Sequence, residues 1–244
     1  MPEAERVPPG WRLEHLPSTS STNEVAVAAA AAGVAGRLVV VADHQTAGRG
    51  RLDRRWDSRP GEALLASLLL RPGSLPPARW HLLTSVVAMA AADACAAVAG
   101  VHPELKWPND LISGGAKLAG VLAEASADAV VVGIGCNISG APPGAAALAE
   151  LAGRPVDRWE LLAQILAGVD RRDGEWDDVA AEHARRCGTV GRAVRVELAG
   201  RPDLVGRAVG VDGAGRLVVE GPGGREALSA GDVVHLRPAG EPGG

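Results

Sequence analysis

The chain has 244 residues, a formal net charge of -4 and 47% hydrophobic residues, with six Trp but no Phe and no Tyr. That length supports one large domain or a main domain with a small one, and it buries enough surface to need no disulfide or metal staple. The slightly acidic balance argues against a general nucleic-acid binder, and three widely spaced cysteines without metal-ligand spacing fit reduced thiols in a cytoplasm.

The opening MPEAERVPPG has no basic-then-apolar signal pattern and reads as a short tail. Ser21 with Glu24 three residues on predicts a capping box, and the Ala-rich helix that follows should stop at Gly33. β-branched or apolar runs predict strands over residues 37–43 and 62–70. A long helix is expected over 79–99. Residues 82–101 hold one charge, Asp93, but their alanine content and that central carboxylate point to a buried helix rather than a membrane span. Strands are expected over 117–124 and 129–137, joined by a turn at Ala127-Asp128. Residues 140–153 read as a loop rich in Pro, Gly and Ala, and helices follow over 159–169 and 175–187. From Arg192 the pattern changes to short alternating runs over 192–198, 204–211, 216–220 and 233–238. Asp212-Gly213 and residues 221–224 supply hairpin turns between them. The expectation is a main domain over 1–188, a small β-barrel over 189–238 and a disordered tail over 239–244.

Three segments carry chemistry. The first, DHQTAGRGRLDRRW over 43–56, follows a strand directly. Its glycines permit close backbone approach, and Arg49, Arg51, Arg54 and Arg55 offer planar forks suited to carboxylate or phosphate. On its own it also fits a solvated basic loop or an RNA-binding segment. It is not a phosphate loop of the G-K-[ST] kind. The second, KWPND over 106–110 with GGAKLAG over 114–120, places Asn109 and Asp110 at a strand-to-turn junction, because Pro108 holds Trp107 extended. A plain Pro-Asn-Asp turn explains it equally well in isolation. The third, VGIGCNI over 132–138, puts two glycines inside a buried strand. Either a ligand or a packed helix approaches closely there.

Taken together, in this order, the segments resemble the biotin–protein ligase family. That family carries S-T-N near its start, Q-x-A-G-R-G-R-x-G-R-x-W, K-W-P-N-D with a nearby K-L-A-G, and G-x-G-x-N. Here they stand as Ser21-Thr22-Asn23, residues 45–56, 106–110 with 117–120, and 133–137. SAGDV over 229–233 resembles the end of the family's small SH3-like domain, so the match spans residues 11–238. Two positions depart: Asp53 stands where the family usually has Gly, placing an anion beside an anion-binding loop, and Cys136 replaces an aliphatic residue.

The resemblance implies an α+β fold: a catalytic domain with a mixed central sheet flanked by helices, of the class II synthetase and biotin–lipoate ligase type, followed by the SH3-like barrel. It implies ATP-dependent activation of biotin to biotinyl-5′-adenylate, aided by Mg²⁺, and transfer to a lysine of a biotin carboxyl carrier domain. It assigns Ser21, Thr22, Asn23 and Gln45 to biotin, with Arg49, Gly50 and Arg51 closing over biotin and phosphate. Lys117 falls at the biotin carboxylate, so Lys117, Arg49 and Arg51 are the catalytic set. Arg51, Arg54, Trp56, Asn109, Asp110 and Asn137 fall on the ATP side, with Asp110 as the metal ligand. The basic loop is expected to be mobile without ligand and ordered with it. A related reading is lipoate or octanoate transfer on a similar fold, whose proteins lack the G-R-G-R and K-W-P-N-D segments. Some members of the biotin family carry an N-terminal DNA-binding domain, and with ten residues before Trp11 this sequence is expected to be a ligase only. A cytoplasmic monomer or homodimer, with no nucleic-acid or membrane partner, is the corresponding expectation.

Overall fold

The structure is a computed structural model that describes residues 6–51, 54–73, 75–126, 128–229 and 231–236. Asp53 and the 239–244 tail, each the subject of an expectation above, lie outside the described residues.

The main sheet has seven strands in the order β1-β2-β3-β7-β6-β5-β4. These are β1 (Trp11–Leu16), β2 (Arg37–Ala42), β3 (Ala63–Leu70), β4 (Glu104–Lys106), β5 (Asp110–Ser113), β6 (Ala116–Ser126) and β7 (Ala129–Asn137). β1 runs parallel to β2, with helix α1 (Thr22–Ala31) as the crossover, and the other neighbouring strands pair antiparallel. The sheet is therefore mixed, as expected. β3 is buried at all eight positions, so it must be covered on both faces.

The cover differs between faces. Alternate residues Leu64, Leu68, Val132 and Ile134 pack with α2 (Leu82–Ala99) and α4 (Arg158–Asp170) in the larger core. The intervening Leu38, Val40, Leu69 and Val131 pack against Ala26 and Ala30 of α1. Ser67, Gly133 and Gly135 share this second face by strand alternation. α2 is long and apolar enough to cross a membrane by composition, but it is a core helix, with 14 of its 18 residues buried.

The second sheet has five antiparallel strands in the order β11-β10-β9-β8-β12, an SH3-like unit. They are β8 (Ala193–Glu197), β9 (Leu204–Val211), β10 (Leu217–Gly221), β11 (Gly224–Leu228) and β12 (Asp232–His235). Its core contains a residue from the main sheet: Trp107, between β4 and β5, packs with Val194, Val196, Leu217 and Val233. The Trp107 indole also donates to Gly215 O at 3.0 Å, and its backbone N–H donates to Thr189 Oγ1 at 3.1 Å. The peptide bond to Pro108 is cis.

Four local expectations need correction. Ser21 is the extended residue before α1, but its side chain makes no cap; Glu24 instead accepts from Ser20 Oγ at 2.5 Å, so there is no capping box. The reason is burial: Ser21 is 3% exposed and faces a cavity rather than the helix start. The stretch between the tail and Ser21, given no element from sequence, forms β1, which needs β2 as its template. The loop over 140–153 contains the short helix α3 (Leu148–Ala152), and β11 was not anticipated.

Candidate active site

A cavity of about 300 Å³ lies between the start of α1, the loop after β2, and the strands β6 and β7. All the sequence-predicted site residues line it. Ser21, Thr22, Asn23 and Gln45 contribute one wall, the loop residues Arg49, Gly50, Arg51, Arg54 and Trp56 a second, and Asn109, Asp110, Lys117 and Asn137 a third. Residues more than a hundred positions apart thus converge on one space.

The polar wall is internally ordered. Thr22 N–H donates to Gln45 Oε1 at 2.7 Å, and Thr22 Oγ1 lies 3.0 Å from the same oxygen. Ser67 Oγ, fully buried on β3, lies 2.7 Å from Thr22 Oγ1 and donates to Asn23 Oδ1 at 2.6 Å. Asn23 Nδ2 donates to Glu124 Oε1 at 2.6 Å and to Leu122 O at 3.3 Å. The Asn23 amide is therefore fully engaged by protein, whereas Ser21, Thr22 and Gln45 retain hydrogen-bonding capacity toward the cavity.

The loop folds on itself. Trp56 N–H donates to Gly48 O at 3.0 Å, and Gly50 N–H donates to Arg54 O at 2.6 Å. This turns the Trp56 indole down onto β7. A Cβ built at Gly135 would fall 2.5 Å from Trp56 Cε2, so no side chain fits there while the indole is in place. A Cβ at Gly133 would fall 2.2 Å from Asn23 Oδ1. The two glycines of the third segment thus serve different neighbours: Gly133 admits the α1 terminus and Gly135 admits the aromatic cover. The Trp56 indole nitrogen is buried without a hydrogen-bond partner among the described residues, which leaves a donor available at the cavity.

Three cations of the cavity each face a carboxylate. Lys117 Nζ lies 2.7 Å from Asp110 Oδ1 and 5.6 Å from the Trp56 ring centre. Arg49 Nη2 pairs with Glu124 at 3.1 Å, and Arg54 pairs with Asp232 of β12. Arg51 reaches Asn109 Oδ1 at 3.5 Å. Burial pulls the Arg51 pKa below the ordinary arginine value, against the opposing pull of Asp232 and Asp110. Lys117, Arg49 and Arg54 are thus each fixed by a carboxylate, and Arg51 by the Asn109 amide.

Three participants escaped the sequence reading. Ser67 and Glu124 sit behind the wall, and their residue types are unremarkable without the pairing partner. Asp232 comes from the second sheet and lines the cavity beside Gly231. The lone serine in ALLASLLL was the available signal for Ser67. Behind Arg51 and Asn109, a second crevice of about 530 Å³ runs between α2, α5 (Trp176–Arg186) and the second sheet.

The Biotin/lipoate A/B protein ligase family model matches residues 16–139, and the biotin protein ligase C-terminal domain model matches residues 189–236. A biotin–[acetyl-CoA-carboxylase] ligase of Mycobacterium tuberculosis is 39% identical over 241 residues, covering 93% of this chain and 91% of its own length. This chain belongs to the biotin protein ligase family. The biotin protein ligase of Aquifex aeolicus, solved with biotin and ATP, matches with a TM-score of 0.80 at 27% identity over 93% of this chain and 99% of that one. The biotin protein ligase of Leishmania major, solved with biotinyl-5-AMP, matches with a TM-score of 0.69 at 25% identity over 91% of this chain and 100% of that one. As a biotin protein ligase, the chain is an enzyme that joins biotin to protein.

Proposed function

We propose that this cavity carries out both half-reactions of biotin ligation, with its residues divided as follows. Ser21, Thr22 and Gln45 hydrogen-bond the ureido ring of biotin, and Asn23 orders them from behind. A neutral ring of fixed donors and acceptors needs such groups in an otherwise apolar pocket. Lys117 leaves Asp110 to meet the biotin carboxylate. Arg49, Gly50 and Arg51 close over that carboxylate and the α-phosphate of ATP, where they stabilise the charge that develops as the carboxylate oxygen attacks phosphorus and pyrophosphate departs. Arg54 meets the leaving phosphates, and Trp56 covers the adenylate, whose anhydride water would otherwise hydrolyse. Asn109, Asp110 and Asn137 hold the nucleotide side. The ε-amine of an acceptor lysine, on a biotin carboxyl carrier domain, then attacks the acyl carbon and releases AMP.

Mg²⁺ fits this donor set in one manner only. Among the described residues no group of three or more His, Cys, Asp or Glu forms a metal cage. Asp110 is a carboxylate at the cavity and suits a hard cation that arrives on the phosphates and keeps most of its ligands there. The metal would supply neutralisation of phosphate charge.

We assign residues 1–188 to the catalytic unit and 189–238 to the C-terminal unit, which contributes Asp232. The chain works in the cytoplasm as a monomer or homodimer, and its three free, buried cysteines suit a reducing compartment.

The observation that carries this reading is the convergence of four separated segments on one cavity, with a neutral polar wall opposite a cationic one. Pyrophosphate release on mixing the protein with ATP, Mg²⁺ and biotin tests it. Release should require biotin, and Lys117→Ala should slow it by about a hundredfold or more, the scale of losing one charge-stabilising donor. Release that responds to lipoate and not to biotin would overturn it.

A further inference from the structure

Glu124 does not line the cavity, yet it holds two of its three walls. Its Oε1 accepts from Asn23 Nδ2 at 2.6 Å, and its two oxygens lie 3.2 and 3.1 Å from Arg49 Nη2. Asn23 continues through Ser67 and Thr22, whose backbone N–H reaches Gln45, with successive contacts of 2.6, 2.7 and 2.7 Å. An unbroken hydrogen-bonded chain therefore runs from the ring-recognition wall to the residue that opens the Gly50-Arg51 turn.

The protons in this chain have one consistent order. Asn23 uses both amide hydrogens, on Leu122 O and Glu124, so its carbonyl must be the acceptor for Ser67. The Ser67 hydroxyl has one proton and gives it to Asn23, so Thr22 Oγ1 donates to Ser67 when the two are bonded. Gln45 Oε1 is then satisfied by the Thr22 backbone N–H. No member is left over to hold Arg49 except the carboxylate at the end. Glu24 Oε1 lies farther from Arg49, at 3.9 Å, and its other oxygen is held by Ser20.

We propose that Glu124 is a positioning residue for biotin binding: it fixes Arg49, and with it the start of the basic loop, relative to the ring-binding wall. This rests on the reading of the cavity as the biotin site. Glu124 touches neither substrate in that reading. Its contribution is preorganisation, which lowers the cost of ordering the loop when biotin enters. It should therefore act on KM and leave the chemical step nearly intact.

Glu124→Gln tests this, because it keeps an oxygen for Asn23 at nearly the same volume while removing the charge that holds Arg49. Pyrophosphate release is measured beside the wild-type chain, with amide exchange over residues 46–51 in the ligand-free proteins. The KM for biotin should rise about fivefold, the scale of one partly exposed ion pair, with kcat changed less than about twofold. Exchange over 46–51 should quicken, and Glu24→Gln should change both quantities less than Glu124→Gln does. An unchanged KM with unchanged exchange, a fall in kcat at constant KM, or equal effects from Glu24→Gln would each overturn the proposal. Absence of biotin-dependent release by the wild-type chain would instead overturn the functional reading beneath it.

Discussion

At the scale of single residues, the site is built from small side chains as much as from charged ones. Gly135 pairs with Leu65 on one side and Gly120 on the other, and it is the hollow into which the Trp56 indole fits. The nearest obstacle to a Cβ is an aromatic ring 2.5 Å away, pinned by a loop whose own hydrogen bonds fix its ends. Gly135→Ala should therefore leave the sheet intact, since alanine is accommodated by strand backbone, but it must expel the indole. The expected outcome is a rise of about tenfold or more in the KM for ATP with a stability loss of about 1–3 kcal/mol, the range for overpacking. Steady-state kinetics with urea unfolding on the same protein checks it. An unchanged KM for ATP would show that Trp56 does not cover the nucleotide.

At the scale of elements, burial and charge hold different helices. α2 buries 14 of its 18 residues and needs nothing else. α5 buries only Val179 and His183, so its attachment must come from elsewhere. Arg172, just beyond α4, and Arg186 of α5 each bridge Asp93 of α2 and Glu182 of α5, with contacts of 2.7 Å. The Arg172 guanidinium, followed by Arg186, holds the Glu182 carboxyl down to about 2, against the opposing effect of burial. A carboxyl whose folded pKa lies below its unfolded value stabilises the fold above the unfolded value, near 4.5, and loses that contribution as pH falls toward 2. Glu182→Gln should therefore cost about 1 kcal/mol at pH 7, allowing for solvent screening. That difference should shrink below pH 4.5 and vanish near pH 2 in urea titrations. A difference that persists at pH 2 would mean that the carboxylate charge is not its source.

The same scale shows what sequence patterns carry. The long strands and α2 were legible because their apolar periodicity is local, and the cavity was legible because its residues come in dense, unusual segments. β1 and β11 were not, since a strand of ordinary composition is defined by its partner: Trp11–Leu16 by β2, and Gly224–Leu228 by β10. Ser67 and Glu124 were hidden for the same reason. Asn23 meets Glu124 across 101 positions of sequence, and no spacing rule reaches that far. The reading of Ser21-x-x-Glu24 as a capping box failed where a functional surface took precedence over a local helix rule.

At the scale of the whole molecule, the two sheets share a residue rather than merely touching. Trp107 belongs by sequence to the segment that brings Asn109 and Asp110 to the cavity, yet its side chain is 3% exposed and sits in the core of the second sheet. Its indole N–H reaches Gly215 O, in the hairpin between β9 and β10. The second sheet returns to the cavity at Asp232, which pairs with Arg54. Removing the indole should then do two things at once. Trp107→Ala leaves a cavity in a small core, with an expected loss of about 3–5 kcal/mol. Because the plug is also the tether, the second sheet should uncouple from the first, so that one cooperative thermal transition becomes two, the smaller at lower temperature. Below that lower transition the KM for ATP should already rise, since Asp232 no longer fixes Arg54 and the turn carrying Asn109 loses its anchor. Trp107→Phe, which keeps most of the packing but not the bond to Gly215, should fall between and retain a single transition. Calorimetry on the three proteins decides the point. A single transition in Trp107→Ala with wild-type kinetics would show that the two sheets are held together elsewhere, and that the tryptophan of the K-W-P-N-D segment only fills space.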